Sequence, residues 1–172
     1  MNEVMKNLLT RRSVRAFRPD QVRDEDLEQI LQAGLYAPSA MNRQSWQFTV
    51  VQNEDSRRRL TLAMQKALNN PNYNFYLPPT LILVSNERAN GNAFADTGCA
   101  MENMFLAAHS LGLATVWINQ LKDTCDVPEV RALLDEFGVP ASHTVCATVA
   151  LGYAKDAPPE PRERTGVVKY VR

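Results

Sequence analysis

Two basic clusters stand at opposite ends of the chain, Arg11-Arg12-Ser13-Val14-Arg15 and Arg162-Glu163-Arg164. A guanidinium is a planar fork of N–H donors that matches the oxygens of a phosphate, and the Ser13 hydroxyl adds a further donor. If folding joins the two ends, Arg11, Arg12, Ser13, Arg15, Arg162 and Arg164 close around one phosphate group, such as that of a phosphorylated cofactor. If it does not, they are two solvated basic turns, the ordinary state of surface arginines.

A second segment, Pro38-Ser39-Ala40-Met41-Asn42-Arg43-Gln44-Ser45-Trp46, is dense in amide and hydroxyl groups. Asn42 and Gln44 each donate and accept, which suits the pyrimidine edge of a flavin or a nucleotide base. The competing reading is an ordinary polar loop anchored by Trp46. The familiar catalytic signatures are missing. There is no Gly-x-Gly-x-x-Gly fingerprint, no phosphate loop ending in Gly-Lys-Ser/Thr and no Gly-x-Ser-x-Gly elbow. His109 and His143 lack metal-ligand spacing, and no cysteine has a candidate base nearby. No metal site and no catalytic side chain is therefore expected. A chain that grips a phosphate without such groups leaves the chemistry to a cofactor.

These segments must be positioned by an alternation of helices and strands. Asn2 to Thr10 reads as a short helix. A second helix starts at an Asp24 N-cap, carries Leu27, Ile30, Leu31, Gly34 and Leu35 on one stripe, and closes before Pro38. Gln47 to Gln52 reads as a strand, Ser56 to Leu68 as a helix, Asn69 to Pro79 as a loop and Thr80 to Ser85 as a buried strand. Asn92 to Gly112 has almost no polar face and belongs at the domain centre. Thr115 to Ile118 is a short strand. Pro128 opens a helix that Gly138 stops, and Thr144 to Leu151 is a further strand. The proline-rich run after Ala154 must be extended, and Val167 to Val171 has strand character beyond it. Helices lie on both faces of one sheet.

The chain has 172 residues, enough for one domain with a real core, and we take residues 1–172 as that single domain. Nineteen basic residues balance 19 acidic ones, which argues against a nucleic-acid or membrane-surface partner. No apolar run is long enough for a membrane span, and the N-terminus lacks a signal peptide's apolar core. Cys99, Cys125 and Cys146 are odd in number, far apart and without zinc or redox spacing, as expected of a reduced cytoplasmic protein.

Taken in order, these segments resemble the nitroreductase family of flavin-dependent enzymes. Arg11 to Arg15 is similar to the family's N-terminal phosphate and ribityl motif, and Pro38 to Trp46 to its Pro-Ser-x-x-Asn-x-Gln-Pro-Trp. Asp96 to Gly112 is similar to its central helix, which leads into Leu111-Gly112-Leu113-Ala114-Thr115-Val116-Trp117-Ile118-Asn119. Gly152-Tyr153 and Arg162-Glu163-Arg164 are similar to its late Gly-Tyr and Lys/Arg-x-Arg. Each motif is weak alone; their order and spacing are specific, and they run over nearly the whole chain.

The resemblance implies an α+β fold: a three-layer α/β/α sandwich with a mixed central sheet, working as a homodimer with its C-terminal strand exchanged between subunits. It implies FMN, with Arg11, Arg12, Ser13, Arg15, Arg162 and Arg164 at the phosphate and ribityl chain. Pro38, Ser39, Ala40 and Asn42 would reach the flavin from the partner subunit, and Asn70 its pyrimidine edge. Trp117, Ile118, Asn119 and Gln120 would lie along the ring, with a backbone N–H near Asn119 directed at flavin N5. The activity implied is NAD(P)H-driven reduction of nitroaromatic, quinone or related acceptors by a ping-pong cycle. Relatives that destroy flavin or dehalogenate, and a flavin store without turnover, are the alternatives. Two departures stand out. Ser45 replaces a proline, which is expected to loosen its loop. There is also no long insertion between Glu87 and Asn92 or between Gln120 and Pro128 to cover the flavin.

Overall fold

The structure is a computed structural model that describes residues 1–161 and 163–172. Arg162, one of the expected phosphate ligands, lies outside the described residues. Helix α1 (Glu3–Thr10) starts on Asn2, whose Oδ1 accepts the Met5 N–H at 2.9 Å. Helix α2 (Asp24–Leu35) begins one residue earlier than expected. Arg23, not Asp24, is its N-cap, and its guanidinium grips the buried Asp26 carboxylate at 2.9 and 3.0 Å. Strand β1 (Trp46–Val51) precedes α3 (Glu54–Ala67), which starts two residues before the expected Ser56. The cause is Asn53, whose Oδ1 accepts the Ser56 N–H and so caps the first turn.

Strand β2 (Thr80–Glu87), helix α4 (Ala93–Ser110) and strand β3 (Ala114–Ile118) follow. The short helix α5 (Leu121–Thr124) was not expected, since four residues carry no readable period. Helix α6 (Pro128–Glu136) and strand β4 (His143–Gly152) complete the regular elements.

The strands form one sheet in the order β1-β2-β4-β3, every neighbouring pair antiparallel. The parallel component is a single bridge, Ser13 to Thr115. Alternation along β2 builds the three layers. Leu81 and Leu83 pack with Leu60, Ala63 and Met64 of α3, Leu121 of α5 and Leu134 of α6. Ile82 and Val84 face Leu27 and Ile30 of α2 and Met101, Met104 and Phe105 of α4. Between Val84 and Ser85 the register skips from Ala147 to Val145. Cys146 is the extra residue of this bulge. Val145 therefore faces the α3 layer while Ala147 and Val149 face α4.

Two edges differ. Beyond β3, Val14 N–H donates to Thr115 O at 3.0 Å, and the chain continues beside β4: Arg18 N–H to Tyr153 O, Lys155 N–H to Ala16 O, and Phe17 bridged to Ala154. Beyond β1, no strand pairs among the described residues. Helix α1 buries no residue; Val4, Leu8 and Leu9 stay exposed, as do Leu35, Tyr36, Met41 and Phe94. Among the described residues Val167 to Val171 pairs with no strand, and it is exposed. No helix among the described residues is long and apolar enough to cross a membrane.

Gly152 ends β4 where the N-terminal segment, β2 and the tail converge. A Cβ there would sit 2.7 Å from Pro79 Cδ and 3.2 Å from Phe17 Cδ1. The proline ring has no rotamer with which to retreat. Gly152→Ala is expected to destabilise the fold by about 1–3 kcal/mol, the usual cost of overpacking. Urea unfolding checks this; a wild-type midpoint would contradict the packing described.

Candidate functional site

The run from Ser13 to Arg18 is held against β3 and the end of β4, so the basic cluster comes to rest beside the start of the C-terminal tail. The result is a cleft of about 360 Å³ lined by Arg11, Arg12, Ser13, Arg15, Pro159, Glu160 and Arg164. The two ends of the sequence thus meet. Arg12 folds back on α1, its Nη1 donating to Leu9 O and Arg11 O, both at 2.7 Å. Arg11 Nε lies 3.8 Å from Glu102, too long for a good hydrogen bond, and its guanidinium covers the Phe105 ring at 5.5 Å. Arg15 stands over the Tyr76 ring at 5.9 Å. Among the described residues Arg12, Arg15 and Arg164 form no ion pair. Among the described residues Glu160 is the one carboxylate lining the cleft. Four arginines against one glutamate leave excess positive charge in a concave space, the arrangement that suits a phosphate.

A path of contacts runs from this cleft to the end of β3. Phe105, under Arg11, meets Trp117 edge to face at 6.3 Å, and Trp117 Nε1 donates to Asn119 Oδ1 at 3.0 Å. Trp117 is 39% exposed, unusual for a tryptophan in a strand, and offers a flat apolar face. Ile118 is buried in the core, so only its backbone is available. The Asn119 N–H, in the stretch expected to direct a backbone N–H at flavin N5, donates to Gln120 Oε1 at 3.2 Å. That bond is long and made to an exposed, flexible side chain, so a better acceptor can displace it.

The other expected residues lie outside the cleft lining. Pro38 leads into a turn in which Met41, Asn42 and Gln44 have positive φ (54°, 54° and 48°). Such backbone costs a residue with a Cβ roughly 1–2 kcal/mol. Asn42 N–H donates to Ser39 O at 3.0 Å, Gln44 N–H to Ser39 Oγ at 3.1 Å, and Gln44 Nε2 to Asn42 Oδ1 at 2.7 Å. Ser45 does not loosen this turn. Its hydroxyl donates to Asn86 Oδ1 at 2.7 Å and accepts from Asn90 Nδ2 at 3.1 Å, a polar anchor in place of proline rigidity. Asn70 follows α3, where its Oδ1 accepts the Asn72 N–H at 3.1 Å and its amide nitrogen remains available.

Sequence reading missed two features. One is the turn Phe75-Tyr76-Leu77, three consecutive residues at φ of 51°, 65° and 53°, which carries Tyr76 to Arg15. No glycine marks it; Asn74, whose Oδ1 accepts the Tyr76 N–H at 2.9 Å, was the available signal. The other is the buried carboxylate of Asp96, whose Oδ1 accepts the Ala40 N–H at 2.9 Å. Among the described residues no cluster of three or more His, Cys, Asp or Glu could hold a metal ion. The cysteines are free, Cys99 exposed and the other two buried.

Comparison with known proteins bears on these features. The family model described as "Nitroreductase family" matches residues 8–73 and 65–153. A protein of Archaeoglobus fulgidus assigned as NADH dehydrogenase/NAD(P)H nitroreductase is 32% identical over 160 residues, 91% of this chain and 88% of its own. The NADPH-flavin oxidoreductase of Vibrio harveyi is 30% identical over 179 residues, 95% of this chain and 70% of its own. Among solved structures, a nitroreductase with bound FMN from Bacteroides fragilis superposes with a TM-score of 0.92 at 41% identity over all of both chains. Another with bound FMN, from Desulfitobacterium hafniense, gives 0.90 at 28% identity, again over both whole chains.

His109 reports on the cleft. Its Nε2 lies 2.9 Å from Thr10 Oγ1, just before Arg11. Burial, and then the charges of Arg11 and Arg12, hold its imidazole below the ordinary 6.5. The neutral ring is therefore the folded form. The stability it contributes is present above the unfolded value and lost as pH falls through the folded one. The His109 ring resonance is expected to titrate below pH 6.5, and inorganic phosphate at the arginines should move that midpoint upward. His143, lowered mainly by burial beside Ser85, serves as the control that phosphate leaves in place. NMR titration checks both; a His109 midpoint indifferent to phosphate would contradict an anion at Arg11 and Arg12.

Proposed function

The chain belongs to the nitroreductase family, and from that premise we propose that it is a single-domain, FMN-dependent oxidoreductase that uses NAD(P)H to reduce nitroaromatic, quinone or related acceptors. The observation that carries this reading is the cleft where Arg11, Arg12, Ser13, Arg15 and Arg164 converge with little compensating negative charge. These side chains hold the phosphate and ribityl oxygens, with Arg162 expected beside them. Trp117 to Gln120 lie along the flavin ring, Asn70 serves its pyrimidine edge, and Pro38, Ser39, Ala40 and Asn42 reach it from the partner subunit. When bound, FMN supplies the redox chemistry, taking hydride from NAD(P)H and passing electrons to the acceptor. The protein's own part is to bind, orient and present one open face, on which nucleotide and acceptor take turns. No side chain is required as a catalytic base. The free cysteines suit a reducing, cytoplasmic setting.

Two features support a homodimer. Helix α1 exposes Val4, Leu8 and Leu9, and Leu35, Tyr36, Met41 and Phe94 are exposed as well, more large apolar side chains than a solitary chain needs at its surface. The tail has strand character but no partner strand among the described residues. The outer edge of β3 is taken by Ser13 and Val14, whereas that of β1 is open among the described residues. An exchanged tail therefore adds to β1 of the partner, covering an edge that would otherwise invite aggregation.

Arg164→Ala is expected to weaken FMN binding by about 1.5–3 kcal/mol, the worth of a hydrogen bond to a charged group. Riboflavin, which lacks the phosphate, should bind the variant and the wild type alike. Fluorescence titration with both ligands checks this; equal losses for the two would remove the phosphate from Arg164.

Deleting residues from Gly166 onward is expected to release FMN and destabilise the protein, because the tail ties assembly to the cleft-forming segment just before it. Sedimentation and flavin absorbance check this. A truncated chain that stays folded, monomeric and yellow at low micromolar concentration would refute both the exchange and the shared site.

A further inference from the structure

The turn from Pro38 to Trp46 is exposed, left-handed at three side-chain-bearing residues, and fastened to the body through a small polar network. Ala40 N–H donates to Asp96 Oδ1 at 2.9 Å. Asn90 Nδ2 donates to Asp96 Oδ2 at 2.9 Å and to Ser45 Oγ at 3.1 Å. Ser45 Oγ donates in turn to Asn86 Oδ1 at 2.7 Å. Asp96, Asn90 and Asn86 are all buried.

The direction of every bond is dictated by backbone groups that cannot reverse. Asn92 N–H donates to Asn90 Oδ1 at 3.0 Å, which fixes the Asn90 carbonyl and turns its NH₂ toward Ser45 and Asp96. Glu87 N–H donates to Asn86 Oδ1 at 2.9 Å, so that oxygen is an acceptor. Position 96 therefore faces two donors, a backbone N–H and an amide NH₂. Only a group that accepts at both oxygens fits, and a carboxylate is that group.

We propose that Asp96 is a positioning residue for the cofactor-facing turn, and that it acts through this one-way donor–acceptor order rather than through its bulk. The inference rests on the reading that the turn meets FMN. The isosteric change Asp96→Asn keeps the shape but sets an NH₂ against a donor, leaving one bond unmade in a buried site. Asn90→Asp sets two carboxylates against each other. The double exchange Asp96→Asn with Asn90→Asp reverses the 90–96 pair and restores it. Asn at 96 accepts from Ala40 and donates to Asp at 90, which still accepts from Asn92 N–H; the single Ser45 hydroxyl proton goes either to Asp at 90 or to Asn86, so one of that hydroxyl's two bonds is lost.

The test is titration of wild type, both single variants and the double variant with FMN and with riboflavin, alongside urea unfolding of each apo form. Each single variant is expected to bind FMN at least about tenfold more weakly, the effect of one unsatisfied buried donor. The double variant should bind FMN more tightly than either single variant, though short of wild type because one Ser45 bond is lost, a coupling that only directly interacting residues show. The ratio of riboflavin to FMN affinity should not change in any of them, because the arginine cleft is untouched; loss of Arg164 changes that ratio. Wild-type protein that takes up no FMN would overturn the function reading and this inference with it. Wild type that binds FMN while Asp96→Asn binds equally well, even if its apo form unfolds earlier, would overturn this inference alone. A double variant as weak as the singles would overturn the donor–acceptor order.

Discussion

The backbone pairing of residues 13–18 with the ends of β3 and β4 is the constraint on which the site depends. Three hydrogen bonds and two bridges place the N-terminal basic cluster beside the point where the tail leaves the sheet. Arginines 11 and 164 are separated by most of the chain, yet they line one cleft. Without that pairing each cluster would be a solvated turn. With it, guanidinium groups are held together in a neutral protein, an arrangement whose mutual repulsion an anion placed among them would relieve. The pairing also occupies the outer edge of β3, which leaves β1 as the unpaired edge among the described residues.

The same economy appears in how the sheet serves both ends of the proposed flavin. Helix α4 packs its apolar length on β2 and β4, with Asp96 in its first turn and His109 in its last. Its N-terminal end fixes the Pro38 to Trp46 turn, and its C-terminal end meets α1 beside the arginines. Phe105, midway, bridges Arg11 to Trp117. One buried helix therefore sets the relative placement of the phosphate cleft, the exposed tryptophan and the turn.

Much of this was legible in the chain. The run Cys99 to Ala108 has so little polar surface that only a central helix could hold it, and α4 lies there. Leu81 to Val84 could only be a strand covered on both faces, and both core clusters draw on it. What escaped was written in single polar atoms. Asn53 advanced the start of α3 with one side-chain acceptor. Ser45 turned an expected weakness into an anchor because its partners, Asn86 and Asn90, are distant in sequence. The Asn119 N–H meets the side chain of the next residue, Gln120, a contact no period announces. The left-handed turn at Phe75 to Leu77 carries no glycine to announce it. Strand character at Val167 to Val171 was readable, but no local feature of the sequence specifies which edge it pairs with.

The central claim is that a bound flavin, presented by this scaffold without a catalytic side chain, carries electrons from a nicotinamide nucleotide to a second substrate. The most direct test is anaerobic titration of the purified holoprotein with NADH and with NADPH while its flavin absorbance is followed, then addition of a nitroaromatic or a quinone. The account predicts that heat-released cofactor is FMN, that one or both nucleotides bleach the bound flavin, and that the acceptor restores the oxidised spectrum. A protein that holds FMN yet is bleached by neither nucleotide would contradict it and mark the chain as a flavin store.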